Sequence, residues 1–135
     1  MPYTILLVDD DSDFRREFRE YFSDYRIIEA GDGAEALARL GRPHEIDLVI
    51  LDVRLPGQRG TDVLKKIKET APDLPVVMLT GHGSKDVVIE ALKGAADDYL
   101  EKPLDPATAE KIIVRIVSAS PWRSPPASDG PNGKI

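Results

Sequence analysis

A chain of 135 residues with 41% apolar side chains is long enough for one domain around a single core, and its lack of cysteine excludes a disulfide framework or a cysteine-held metal. The formal net charge of −6 argues against a nucleic-acid-binding face in this segment, because phosphate contacts require clustered Lys and Arg. No apolar run approaches the roughly 20 residues of a membrane helix, and Met1-Pro2-Tyr3-Thr4 leads into strand without a basic leader or cleavage site, so a soluble, cytoplasmic protein is expected.

Short β-rich apolar runs alternate with amphipathic segments in five βα units, the pattern of an α/β fold with a parallel sheet. The first strand is expected at 3–8. Behind it, Phe14, Phe18, Tyr21 and Phe22 fall at helical spacing on one face, while Arg15, Arg16 and Arg19 fall on the other and are most simply a solvated surface. A second strand at 26–30 and a helix at 34–40 follow. The third strand, 47–51, and the fourth, 75–80, are almost continuously apolar like the first, as expected of strands buried on both faces. Between them a helix is predicted over 61–69, with Val63, Leu64 and Ile67 inward and Gly60 and Pro72 at its ends. A fourth helix is expected at 85–93 and a fifth strand at 97–100. The fifth helix, 106–118, opens on Pro106 and carries Ile112, Ile113, Ile116 and Val117 as its apolar stripe. From Pro121 onward proline and glycine dominate, so 1–120 reads as the domain and 121–135 as a linker or disordered tail.

Ligands of open α/β sheets bind outside the carboxyl ends of the strands. Those ends supply Asp9-Asp10, Asp52, Thr80-Gly81 and Lys102-Pro103, which would bring three carboxylates, a hydroxyl and an ammonium to one rim. Crowded carboxylates raise one another's pKa unless a cation joins them. Mg²⁺ suits a partly filled shell of carboxylates, waters and phosphate, whereas zinc would want His or Cys, and His44 and His82 share no strand end with the acids. With the cation bound, a carboxylate can attack phosphorus while metal and lysine neutralise the transferring oxygens. Taken alone, the acids from Asp9 to Asp13 also read as a loop capping a helix, Asp52 as a solvated strand end, and Thr80-Gly81 as a turn.

Four stretches, Ile5-Leu-Leu-Val-Asp-Asp, Leu51-Asp-Val-Arg-Leu-Pro-Gly-Gln-Arg-Gly, Leu79-Thr-Gly-His-Gly and Asp97-Asp-Tyr-Leu-Glu-Lys-Pro, resemble in this order a CheY-like receiver (response regulator) domain of two-component signal transduction systems, over about residues 3–120. The resemblance implies a doubly wound, flavodoxin-like sheet of five parallel strands with five helices. The strand order 2-1-3-4-5 is likewise implied by the family, CheY being a standard example of it, and does not follow from the apolar pattern. The resemblance further implies that Asp52 is the phosphoacceptor, and that Asp10 and Asp52 ligate Mg²⁺ with the backbone carbonyl of Arg54 while Asp9 acts mostly through coordinated water. Thr80 and Lys102 would contact the phosphoryl group, with Lys102-Pro103 cis, and Tyr99 would change rotamer on activation. The implied partners are a sensor histidine kinase or histidine phosphotransfer protein as donor, and an output domain or a second copy at the surface of the fourth helix, fifth strand and fifth helix. The expected role is a signalling phosphoacceptor and not an enzyme in its own right.

Two departures stand out. Gly94-Ala95-Ala96 replaces the usual Ala-Gly-Ala, which suggests a fourth helix ending one residue out of step, and Leu55 replaces the commoner methionine, a volume-conserving swap. Two other readings compete. A phosphatase or phosphomutase passing through an aspartyl phosphate would want a second Asp two residues after the nucleophile, where this chain has Arg54. A receiver-like binding module that is never phosphorylated would lack part of the residue set, and none is missing. His82 and Arg54 flank the expected site and are candidates to tune acyl-phosphate hydrolysis.

Overall fold

The computed structural model describes residues 3–81 and 95–122. Its elements are β1 (Thr4–Val8), α1 (Ser12–Tyr21), β2 (Arg26–Ala30), α2 (Gly33–Leu40), β3 (Leu48–Asp52), a hairpin of β4 (Arg54–Leu55) and β5 (Gln58–Arg59), α3 (Gly60–Thr70), β6 (Val76–Thr80), β7 (Asp98–Glu101) and a C-terminal helix, Pro106–Ala119. The main sheet is wholly parallel, in the order β2-β1-β3-β6-β7. Leaving the hairpin out of the count, this is the expected 2-1-3-4-5 order. The expected helix at 85–93 lies outside the described residues.

Parallel strands buried on both faces send alternate side chains into two separate layers. Leu6, Val8, Val49, Leu51, Val76 and Met78 point to one side, where they meet Ala36 of α2 and Val63, Leu64 and Ile67 of α3. Ile5, Leu7, Leu48, Ile50, Val77 and Leu79 point to the other, against Phe18 of α1 and Ile113, Ile116 and Val117 of the C-terminal helix. Among the described helices, the stripes read from sequence therefore face the core, Phe14 and Ile112 only partly buried, with one exception. Tyr21, expected on the inner face of α1, is 63% exposed, because the helix ends at that residue and Phe22 takes the inward position from a non-helical cap.

Among the described helices, three start on an Asp side chain: Asp11 accepts from the amides of Asp13 and Phe14, Asp32 from Glu35, and Asp105 from Thr108. The capping role therefore belongs to Asp11, which leaves Asp9 and Asp10 for other work. The hairpin is an addition to the elements expected from sequence. It turns over Pro56-Gly57, with Gly57 at φ 82, a combination suited to a tight turn that needs left-handed backbone at its second central residue. At Ala95 the backbone has φ 79, so an alanine occupies the left-handed position where the usual Ala-Gly-Ala places glycine. Alanine bears the strain of that position, and the end of the fourth helix, for which Gly94-Ala95-Ala96 suggested a shift, lies outside the described residues.

Candidate functional site

The strand register builds the site. Val8 pairs with Leu51, so Asp9 and Asp52, each one residue further, sit side by side at the carboxyl ends of β1 and β3. Beyond β3, the Val53 amide donates to the Leu79 carbonyl at 3.0 Å and the Gly60 amide to the Val53 carbonyl at 2.9 Å, which pins the chain that leaves Asp52. The approach of α3 to that strand end is so close that a β-carbon at Gly60 would lie 2.1 Å from the Asp52 carbonyl oxygen, so only glycine fits there. On the far side, the Lys102 amide donates to the Thr80 carbonyl at 2.8 Å, and Lys102-Pro103 is cis as expected.

Around this frame, Asp9, Asp10 and Asp52 bring carboxylate oxygens within 4.8 Å of one another. Lys102 Nζ stands between two of them, 2.6 Å from Asp9 Oδ2 and 3.1 Å from Asp52 Oδ2. The Asp52 contact is a hydrogen bond, whereas the Asp9 contact is close but poorly directed, so Asp9 Oδ2 is a buried oxygen with no well-formed hydrogen bond. Each of these two carboxylates accepts one backbone amide, Asp9 Oδ1 from Asp11 at 2.9 Å and Asp52 Oδ1 from Arg54 at 2.9 Å. Asp9 is fully buried and Asp52 nearly so, while Asp10 is exposed. Burial pushes the Asp9 carboxyl above its ordinary value of 3.8, and the Asp52 charge adds to this against the opposing effects of Lys102 and the Asp11 amide. Burial would pull the Lys102 ammonium down, but its close pairing with the Asp9 and Asp52 carboxylates outweighs that and holds it above 10.5.

Three carboxylates facing one ammonium, among the described residues, leave an excess of negative charge, and the donor set is all oxygen. That combination, with an under-bonded buried oxygen, fits Mg²⁺. An open cleft of about 490 Å³ lies over it, lined by Asp10, Asp52, Arg54, Leu55, Pro56, Gly81 and Lys102, which leaves room for a metal with its waters and a phosphoryl group.

The residues singled out from sequence therefore divide. Asp9, Asp10, Asp52 and Lys102 converge, and Arg54 lines the cleft. Thr80 is buried at the end of β6, with its hydroxyl toward the Leu100 carbonyl at a long 3.5 Å. Tyr99 is 37% exposed on β7 and lines a second cleft, of about 400 Å³, with Pro103, Leu104 and Ile112. His82 lies outside the described residues. One expectation is corrected: Arg15 and Arg19 are not a free solvated face. Both bind Glu29 of β2, and the Arg15 side chain, 18% exposed, also donates to the backbone carbonyl of Asp9. Arg15 turns inward because β2 offers a carboxylate beside the helix, a pairing that spans 14 residues and that helical periodicity cannot reveal. Arg19 remains exposed beside Glu29, and Arg16 stays outside with Asp13.

Comparison with known proteins agrees with this geometry. Residues 5–114 match the response regulator receiver domain family. The chain is 38% identical to the regulatory protein LuxO of Vibrio cholerae over 84% of its length, and 40% identical to the alginate biosynthesis transcriptional regulatory protein AlgB of Pseudomonas putida over 85%. It is 35% identical to the response regulator MprA of a Mycobacterium species over 98%. It spans 24%, 27% and 56% of those three proteins respectively. Among solved structures, the receiver domain of NtrX from Brucella abortus superposes with a TM-score of 0.79 at 35% identity, covering 86% of this chain and 99% of that one. A CheY-like receiver domain protein from Methanospirillum hungatei gives 0.81 at 28% identity, covering 87% and 95%. The chain belongs to the response regulator receiver family.

Proposed function

We propose that this receiver domain takes a phosphoryl group onto Asp52 in a Mg²⁺-dependent reaction, from a sensor histidine kinase or histidine phosphotransfer protein, and relays the event to an output domain or partner. The observation that carries this reading is the excess of carboxylates over ammonium at one open rim. Asp52 offers an oxygen to the cleft, its backbone is pinned on both sides, and its charge is held by Lys102. Asp10 and Asp52 border the open space and would hold the metal directly, with the Arg54 backbone beside them, while Asp9 beneath would act through water. When bound, Mg²⁺ supplies charge neutralisation to the transferring oxygens.

Lys102 would pass from Asp52 to a phosphoryl oxygen as the acyl phosphate forms. Among the described residues, the Thr80 hydroxyl has only the long contact to Leu100, so a phosphoryl oxygen can compete for it. Drawing Thr80 toward Asp52 would disturb β7 beside it and hence Tyr99, whose ring sits at an open cleft with room to change rotamer. The output surface would then include β7 and the C-terminal helix, while the helix expected at 85–93 lies outside the described residues. The role is that of a signalling phosphoacceptor, with turnover limited to its own phosphorylation and dephosphorylation, and Arg54 stands where a hydrolase would need a second acid. Such a domain would work in the cytoplasm, and the net charge of −6 supports the absence of direct contact with nucleic acid.

The deciding experiment incubates the protein with acetyl phosphate and Mg²⁺ and measures intact mass. One added phosphoryl group is expected, reduced without Mg²⁺ and absent from Asp52→Asn. Unchanged labelling of that variant would move the acceptor elsewhere.

A further inference from the structure

The Lys102 ammonium has a third neighbour besides its two carboxylates. Its Nζ lies 4.5 Å from the centroid of the Phe14 ring. Phe14 is in the first turn of α1, half-buried, and leans on Phe18 at 6.3 Å between centroids, so its ring is seated in the core below and faces the cation above. Helical periodicity explains why Phe14 lies on the core side of α1. It does not explain why an aromatic ring, and not a leucine, ends against the ammonium of the site.

From this geometry we propose that Phe14 is a positioning residue for Lys102, its ring face closing a cradle with Asp9 and Asp52 that holds the ammonium over the phosphoacceptor. The inference rests on the reading of Asp52 as acceptor. A lysine stem has four rotatable carbons and a strongly hydrated head, so its position must be supplied by its surroundings. Carboxylates attract the head but demand directed N–H bonds. A ring face attracts a cation through its quadrupole without demanding a particular N–H direction, and does so more strongly where water is partly excluded, as it is for a side chain 27% exposed. The ring therefore lets the ammonium turn from Asp52 Oδ2 toward an arriving phosphoryl oxygen without leaving its seat. No bond is made or broken by Phe14, and its part is played before and during the transfer by holding charge in place.

The test varies the ring while keeping its volume. Phe14 is replaced by mono-, di- and trifluorophenylalanine in the full chain, and the maximum rate of Asp52 labelling by acetyl phosphate is separated from its half-saturating concentration. A stepwise fall in the maximum rate is expected, reaching about three- to ten-fold for Phe14→Leu, with Phe14→Tyr close to wild type. In a Lys102→Ala background these changes should have no further effect. Independently of labelling, the Lys102 Hε protons of the unphosphorylated protein should show an upfield ring-current shift that Phe14→Leu removes. A flat fluorine series, or effects that add to Lys102→Ala, would overturn the proposal even if leucine unfolds the chain. Wild-type protein that keeps the ring-current shift but takes no phosphoryl group would instead overturn the acceptor reading, and this role with it.

Discussion

The two ends of the sheet both carry charge, and they treat it in opposite ways. At the amino ends of the strands, Asp47 and Asp97 are both matched. Asp47 accepts the Thr4 amide at 2.9 Å and returns its own amide to the Thr4 carbonyl at 2.8 Å. Asp97 repeats the device on Val76, and Lys68 Nζ closes it with bonds to Asp97 Oδ2 at 3.1 Å and to the Leu74 carbonyl at 2.7 Å. At the carboxyl ends, three carboxylates share one ammonium among the described residues, and a buried oxygen of Asp9 lacks a directed partner. A cluster whose charges and donors balance holds strands together, whereas one left short of cations at an open cleft is arranged for something that arrives later. Identity of residue types does not separate the two, since each is made of Asp and Lys. Stoichiometry does.

That contrast can be broken by substitution at either end. The largest effect after loss of Asp52 is expected from Lys102→Ala, which should slow labelling by about 10- to 100-fold, more than its loss of stability accounts for, because the ammonium acts mainly on charge that develops during transfer although it also offsets two buried carboxylates. Equal loss of stability and rate would make Lys102 a structural tie like Lys68. Next, Lys68→Ala should cost about 1.5–3 kcal/mol in urea unfolding, as it strands a carbonyl and a carboxylate, and should leave labelling intact. A change of labelling rate in that variant at equal folded fraction would erase the distinction between the two ends.

Asp9→Asn should move the other way and gain about 1 kcal/mol at neutral pH while weakening the Mg²⁺ dependence of labelling. The sign follows from burial, which raises the Asp9 pKa above 3.8. A raised pKa means that the ionised form is penalised in the fold, so the gain from asparagine is present at neutral pH and fades as pH falls toward 3.8. A loss of stability at pH 7 would show that Lys102 outweighs desolvation. Smallest is Glu29→Gln. Burial acts to raise this carboxyl, but Arg15 and Arg19 prevail and hold it below 4.5, so its stabilisation is present above that value and lost as pH falls through the lowered pKa. About 0.5 kcal/mol at pH 7 is expected after solvent screening, with the wild-type and variant unfolding curves converging in acid.

Much of the site could be read from sequence because its residues stand at strand ends, and strand ends follow from apolar runs. Asp9 and Asp52 each come just after such a run, Lys102 follows the shorter and more polar β7, and a parallel sheet in register must line them up. Residues on helices were read less well. Periodicity assigned Phe14 to a core face and Arg15 to solvent, yet Phe14 meets Lys102 from a distant part of the chain and Arg15 holds the Asp9 carbonyl together with Glu29. A signal was available in their place directly behind the acidic pair, where the first turn of α1 must pass beside the rim. The hairpin at Arg54–Arg59 was not legible because two-residue strands carry no periodicity, although Pro56-Gly57 marks its turn.

The order of apolar runs, the capping acids and the turn residues determine by themselves an α/β domain with a parallel sheet and with acids and a lysine at the strand ends, since those choices depend on neighbours a few residues apart. Which charges are balanced and which are left wanting was decided only by the tertiary structure. Burial and distance between remote segments set desolvation and pairing, and neither quantity is local to the chain.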